Sequence, residues 1–312
     1  MENPPRPRTK MRVPRRDRRA ALLIGALVFV IAFTQWRAAI ARNRSIPDEP
    51  FQIADNLYYV GHTGVTMFLL TGPEGHVLID GGYPESAPLV IESIRELGFD
   101  IKDVKVLLNS HAHPDHAGGL AELQEASGAE LWVSEADAPV IAAGGRGGHQ
   151  YLPLRMLTYV GLGSYPAARV DHRFADGAEA RVGPLTLTAN ITPGHTPGCT
   201  SWSFPVQAED LELLAVNICS LKLFGFESFV EPETYPGLRA DYEGSLRTLR
   251  DLPADIFLAS HPTWFGMYRK HRDQEQAANP AEPFIDPLGY RDFIKRAEVR
   301  YRDVLAAQQQ RQ

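Results

Sequence analysis

Six consecutive residues, His111-Ala112-His113-Pro114-Asp115-His116, put three imidazoles and a carboxylate into one short loop. Imidazole nitrogen and carboxylate oxygen are donors that zinc and other borderline transition ions accept. A tight loop turns alternate side chains into one space, and Pro114 stiffens it while bringing no amide hydrogen to satisfy. The bland alternative is a solvated polar loop whose Asp115 caps the following helix.

Six residues cannot complete two tetrahedral sites, so further donors must come from elsewhere in the chain. His195 lies in Thr192-Pro193-Gly194-His195-Thr196-Pro197-Gly198-Cys199, where Pro and Gly on both sides force a turn directly before a strand. His261 follows the strand-like IFLAS and precedes Pro262. Both settings present one side chain at a strand end, and with them half of the chain's ten histidines fall in one proposed site. His62, between Gly61 and Thr63, reads as a pocket residue. His149 and His172 read as loop residues, and His76 and His271 as surface residues.

The elements that must carry these side chains alternate. Residues 56–80 read as short β-rich runs, with Gly72-Pro73-Glu74-Gly75 closing a hairpin. Leu89, Val90, Ile94 and Leu97 have helical spacing. VKVLL at 104–108 runs straight into the histidine loop, Gly118-Gly119 opens a helix over 120–126, and LWVS at 131–134 is another strand. In such α/β order, side chains at the C-terminal strand edge stand in a crevice. Residues 144–163 are glycine-rich without a clean period, an irregular loop or broken helix. Strands follow at 185–190, 199–204 and 211–216, a helix at 241–250 and a strand at 256–259. Asp286-Pro287 reads as an N-cap and first helical residue of a terminal helix. No linker divides residues 42–312, which read as one domain.

Composition bounds the partners. The chain has 312 residues, 44% of them apolar, enough for a large buried core. Nine Lys/Arg and two acids occupy residues 1–41, so the whole-chain charge of −6 leaves −13 beyond Ala41. A body that acidic repels a phosphate backbone, which argues against nucleic acid. Arg19 is followed by fourteen apolar residues, AALLIGALVFVIAF, and then by Ala39-Ile40-Ala41. A cleaved export signal and an uncleaved anchor through residues 20–36 both fit, a buried N-terminal helix being the remaining alternative. Either leading case leaves the arginines on the cytoplasmic side and the body outside the cytoplasm, periplasmic or anchored to the inner membrane; the Arg15-Arg16 and Arg18-Arg19 pairs hint at twin-arginine export. The two cysteines, Cys199 and Cys219, are equally compatible with buried thiols and with one disulfide.

The histidine loop resembles the HxHxDH motif of the metallo-β-lactamase superfamily. Asn56 to Gly61, Ile79 to Gly82, Ser110 to Gly119 and Thr192 to Thr200 are similar to stretches of its subclass B3, over about residues 50–265. Cys219-Ser220, Tyr235-Pro236-Gly237 and Ala259-Ser260-His261-Pro262 also look B3-like. The resemblance implies a four-layer αββα sandwich and two zinc ions per chain, one held by His111, His113 and His195 and the other by Asp115, His116 and His261. It implies a small-molecule substrate, and zinc-dependent β-lactam hydrolysis by a metal-bound hydroxide that Asp115 directs. The alternative is a sibling hydrolase of lactones, thioesters or phosphodiesters, because one fold hosts many substrates.

Ser220 and Lys222 are the nearest candidates to hold a substrate carboxylate, Lys222 standing where family members often have serine; a solvated loop lysine is the equal alternative. Asp80 reads either as a carboxylate that orders the metal loop by hydrogen bonds or as a turn residue. Tyr151, Met156, Leu157, Phe224, Phe226 and Trp264 are candidate groove walls, with core packing the competing reading. LFGFESFV at 223–230 is bulkier than the family pattern, residues 146–151 lack its Asp-Pro, and Ala254 stands where some relatives carry a cysteine.

Overall fold

The computed structural model describes residues 46–148, 152–159 and 161–312. The leader, its proposed cleavage site, His149 and Tyr151 lie outside these residues. The expected membrane attachment is corrected: among the described residues no helix is long and apolar enough to cross a membrane, and residues 20–36 lie outside them.

Two mixed sheets form the centre. The first runs in chain order through β1 (Phe51–Ala54), β2 (Leu57–Tyr59), β3 (Phe68–Leu70), β4 (His76–Ile79), β5 (Val104–Leu108), β6 (Glu130–Ser134) and β7 (His172–Phe174). Strands β1 to β4 pair antiparallel, and β4 to β7 parallel. The second sheet is ordered β12 (Ile256–Ala259), β11 (Leu211–Ile218), β10 (Thr200–Ala208), β9 (Leu185–Ile191), β8 (Glu179–Val182), with only β11 and β12 parallel.

Alternation along the strands builds the layers. Phe68, Leu70, Val77, Ile79, Val106 and Leu108 join the core shared with the second sheet. Their neighbours Leu69, Leu78 and Leu107 face a second core with α1 (Ala87–Glu96), α3 (Leu120–Ser127) and α4 (Ala138–Ala142). Strands buried on both faces read as unbroken apolar runs, which is why FLL and residues 106–108 (VLL) lack a polar alternate, the exposed Lys105 lying only at the start of β5. On the far side α6 (Leu238–Asp251) and α8 (Pro287–Gln309) cover the second sheet through Tyr242, Leu246, Leu249, Tyr290, Ile294 and Tyr301. The expected four-layer αββα sandwich is the observed fold.

Several local expectations hold: the 72–75 turn closes the β3–β4 hairpin, and the Asp286 carboxylate accepts the Gly289 amide at the start of α8. Others need revision. The 144–163 stretch contains a helix, α5 (Leu152–Tyr159). Strand β10 continues through Pro205, which is tolerated because β9 pairs only as far as Ser203, leaving no ladder partner for an amide there. His76 is buried, its ring edge-on to Phe99, and His271 is stacked on Phe51 rather than lying free on the surface.

The terminal helix is pinned by a buried lysine. Lys270, on α7 (Met267–Asp273), sits 2.8 Å from the Asp286 carboxylate and faces the rings of Phe257, Phe265 and Phe284. Burial lowers its pKa, and Asp286 opposes that shift. Asp286→Asn keeps the cap but leaves a buried cation without its anion. Because the Asp286 side chain is 28% exposed, the expected loss is about 2 kcal/mol, below the 3–5 kcal/mol typical of a fully buried pair. Thermal unfolding should show it as a drop of roughly 4–8 °C.

Candidate metal centre

Four strands of the sandwich end at one edge, and each end delivers part of the site. Asp80 follows β4, His111 follows β5, His195 lies on the loop after β9 and His261 follows β12. The histidine loop changes conformation midway, which divides its side chains. His113 is extended (φ −73°, ψ 153°), and from Pro114 the chain turns into α2 (Pro114–Ala117), with the amides of His116 and Ala117 bonded to the His113 carbonyl. The extended half thus carries His111 and His113, and the helical turn carries Asp115 and His116.

Two sets of donor atoms result, His111 with His113 and His195, and Asp115 with His116 and His261. Within each set the donor atoms lie within 4.8 Å of one another. All six residues expected as ligands are brought together. His62 is not among them: it is buried and bonds Ser86 Oγ at 2.5 Å. A third grouping, His111 with Cys199 and Cys219, offers no thiolate, because the two sulfurs are joined in a disulfide.

Three of the rings are held from behind by an oxygen. His116 Nδ1 meets Asp80 Oδ2 at 3.0 Å, His261 Nδ1 meets the Gly64 carbonyl at 2.8 Å, and His195 Nδ1 meets the Lys222 carbonyl at 3.4 Å. An Nδ1–H donated to oxygen leaves the Nε2 lone pair for a metal. In the protein alone His111 Nε2 is buried without a hydrogen-bond partner, a costly state for a polar atom, and His116 Nε2 has only the Asp115 carboxylate, 3.5 Å away. His113 Nδ1 and His195 Nε2 converge to 3.1 Å. Three nitrogen donors in one set, and two nitrogens with a carboxylate in the other, each fit a divalent cation, and zinc accepts both kinds of donor.

The electrostatics favour the same occupants. Burial, reinforced by the neighbouring imidazoles, holds His111 well below the usual histidine range, and burial chiefly does the same to His195. Burial and His116 push His261 down to about 4. Neutral rings need shed no proton to bind metal. Burial alone would raise Asp115, but His116, His113 and His261 outweigh it and hold it ionised. Burial would lower His116, yet Asp115 and Asp80 push it up to about 10. A proton there partners Asp115 in the protein alone, and a bound cation would take that role.

The family model described as Metallo-beta-lactamase superfamily matches residues 60–207. Among solved structures, Rm3 metallo-beta-lactamase is 36% identical, with a TM-score of 0.78 over 88% of this chain and 98% of that one. The chain belongs to the metallo-β-lactamase superfamily. BJP-1, a subclass B3 metallo-beta-lactamase of Bradyrhizobium japonicum, is 32% identical over 85% of this chain and 97% of its own, with a TM-score of 0.76. Two curated relatives are more distant. A hydroxyacylglutathione hydrolase of Jannaschia sp. is 28% identical over 62% of this chain and 60% of its own length. The N-acyl homoserine lactonase AttM of Agrobacterium fabrum is 27% identical over 60% of this chain and 75% of its own. As a member of the superfamily the chain is a dinuclear-metal-binding hydrolase. The family match ends before His261, which the longer structural likenesses include.

The remaining expected residues fall around this centre. Asp80, in the left-handed region at φ 66°, accepts from the Ser110 amide and hydroxyl, both at 2.6 Å, and from Asn109 and His116. It therefore orders the metal loop. A Cβ on Gly119 would come within 2.3 Å of the Gly81 carbonyl oxygen, so only glycine lets the Asp80 turn pack this closely. Ser220 is buried, with its hydroxyl accepting the Lys222 amide. Of these two, only Lys222 presents its side chain to solvent. Phe224, exposed, has its ring 5.3 Å from that of His195, and Trp264 lies 4.4 Å from His261. Leu157 shares a cavity of about 270 Å³ with His113. Phe226 stacks on Phe224, while Met156 is exposed.

Asp137 is a residue the sequence did not single out. One of its oxygens accepts the Ala112 amide (2.9 Å) and the Thr196 hydroxyl (2.8 Å), and the other accepts the Gly198 amide (3.0 Å). It thus ties the loop of His111 and His113 to that of His195. Preceding Ala138-Pro139, it reads in sequence as a helix cap, yet its side chain makes no cap bond. In Asp137→Asn one amide hydrogen pair must face a donor. The expected result is a roughly tenfold weaker zinc affinity at the His111, His113 and His195 set, measured by competition with a chromophoric chelator.

Proposed function

We propose that this hydrolase cleaves activated acyl compounds, lactones or thioesters, with two zinc ions held by His111, His113, His195, Asp115, His116 and His261. The observation that carries this reading is the pair of three-donor sets. The hydroxyacylglutathione hydrolase and the lactonase among its relatives support the substrate class. A second reading, the strained amide of a β-lactam, is favoured by likeness to B3 enzymes over nearly their whole length.

Bound zinc would supply a water acidified to near-neutral pKa and a Lewis acid for the scissile carbonyl. The protein's own groups do the rest. Asp115, held ionised between His116 and His261, accepts a hydrogen bond from the attacking water and fixes its direction. Lys222 places a cation for a substrate carboxylate, and Phe224, Leu157 and Trp264 wall the approach against bulk water. The Cys199–Cys219 disulfide supports export to an oxidising compartment.

Hydrolysis rates on lactones, thioesters and the three main β-lactam classes, with zinc counted in the same sample, test the proposal. Chelator-sensitive turnover of a lactone or thioester at least tenfold above any β-lactam is expected. Preference for a β-lactam would replace the first reading with the second, and a zinc-loaded protein inert on the whole panel would remove both.

A further inference from the structure

Beside the metal centre a cavity of about 190 Å³ lies between the loop after β11 and the terminal helix. Its charged lining is Lys222, Arg296 and Arg300, its aromatic lining Trp264 and Phe293, and no carboxylate lines it. That composition runs against the body of the protein, which carries −13 beyond Ala41. Three cations around one hollow repel one another unless an anion joins them.

The cavity adjoins both donor sets. The Lys222 carbonyl receives His195 Nδ1, and its ammonium lies 5.0 Å from the centre of the Phe224 ring, itself beside His195. Trp264 stands against His261 on one side and is stacked on Phe293 on the other. Arg300 is held by a bond to the Leu223 carbonyl at 3.0 Å, which leaves other guanidinium hydrogens to donate. Arg296 and Arg300 also border an outer groove with Asp292 and Asp303, but among the described residues no ion pair joins them.

We propose that this cavity binds an anionic group of the substrate, a carboxylate or a phosphate, on an arm extending away from the scissile bond. Its volume decides the kind of occupant: sites for whole drug-sized ligands run to roughly 300 Å³ and more, so this one takes a terminal group. Arginine forks match the paired oxygens of carboxylate and phosphate, and the Trp264–Phe293 wall lowers the local dielectric that strengthens such bonds. The proposal rests on the acyl hydrolase reading and narrows it to substrates with an acidic tail.

The test compares, on zinc-loaded protein, an acyl substrate ending in a carboxylate with its methyl ester, in the wild type and in Arg296→Gln and Arg296→Glu. In the wild type KM for the acid should be lower than for the ester. In Arg296→Gln the acid's KM should rise about tenfold relative to the ester's, and more in Arg296→Glu. A phosphate-ended analogue in the same series shows which anion is preferred. Equal treatment of acid and ester by all three proteins overturns the proposal. If no acyl compound is turned over, the functional reading fails by itself, and calorimetric titration with sulfate decides the cavity: saturable binding lost in Arg296→Glu upholds it, and identical traces overturn it.

Discussion

The His113→Ala variant is expected to lose hydrolysis by roughly three orders of magnitude or more while remaining folded. The set that His113 shares with His111 and His195 would keep two protein donors, too few to hold a tetrahedral ion in competition with water. With that ion goes the polarisation of the scissile carbonyl, and several kcal/mol of lost transition-state stabilisation corresponds to a loss of this size. His113 is half-buried at the lip of a cavity and is not part of either hydrophobic core. Its removal should therefore leave thermal unfolding of the metal-free protein nearly unchanged, any further drop with zinc present reflecting the lost ion. The check is kcat at saturating substrate beside a melting curve. A loss below tenfold would show that the His113 donor is dispensable.

Asp80→Asn should show the second largest effect. Asparagine tolerates the left-handed backbone at this position, so the change isolates the carboxylate. Asp80 Oδ1 accepts the Ser110 amide and Oδ2 accepts His116 Nδ1. An amide group with its nitrogen toward His116 turns that ring to the other tautomer and puts a proton on Nε2, the atom meant for metal. Turned the other way, it sets donor against donor at Ser110. Either outcome should weaken metal binding at the Asp115, His116 and His261 set by 10- to 100-fold. Zinc titration monitored by a competing indicator reads this directly, and unchanged affinity would reduce Asp80 to a turn residue.

The ligands were legible because their spacing and setting are local properties. HxHxDH places four donors on one turn, and Pro and Gly around His195 or a strand before His261 are visible within a few residues. Strands β7 and β8 were missed for the same reason: HRF and EARV are short, charged runs whose identity comes from pairing with distant neighbours. Asp137 was missed because its three partners lie 25 to 61 residues away. The choice between thiols and a disulfide for Cys199 and Cys219 turned on β10 and β11 lying side by side. His76 and His271 were misjudged because a single sequence does not show which polar residues a tertiary neighbour will cover.

The most direct measurement of the central claim is zinc per chain, by elemental analysis of dialysed protein, for the wild type beside His195→Ala and His261→Ala. Two ions in the wild type and one in each variant are expected, since each substitution dismantles a different set of donors. A wild-type chain that holds none or only one, or a count that neither substitution changes, would contradict the assignment of these six residues to two metal sites.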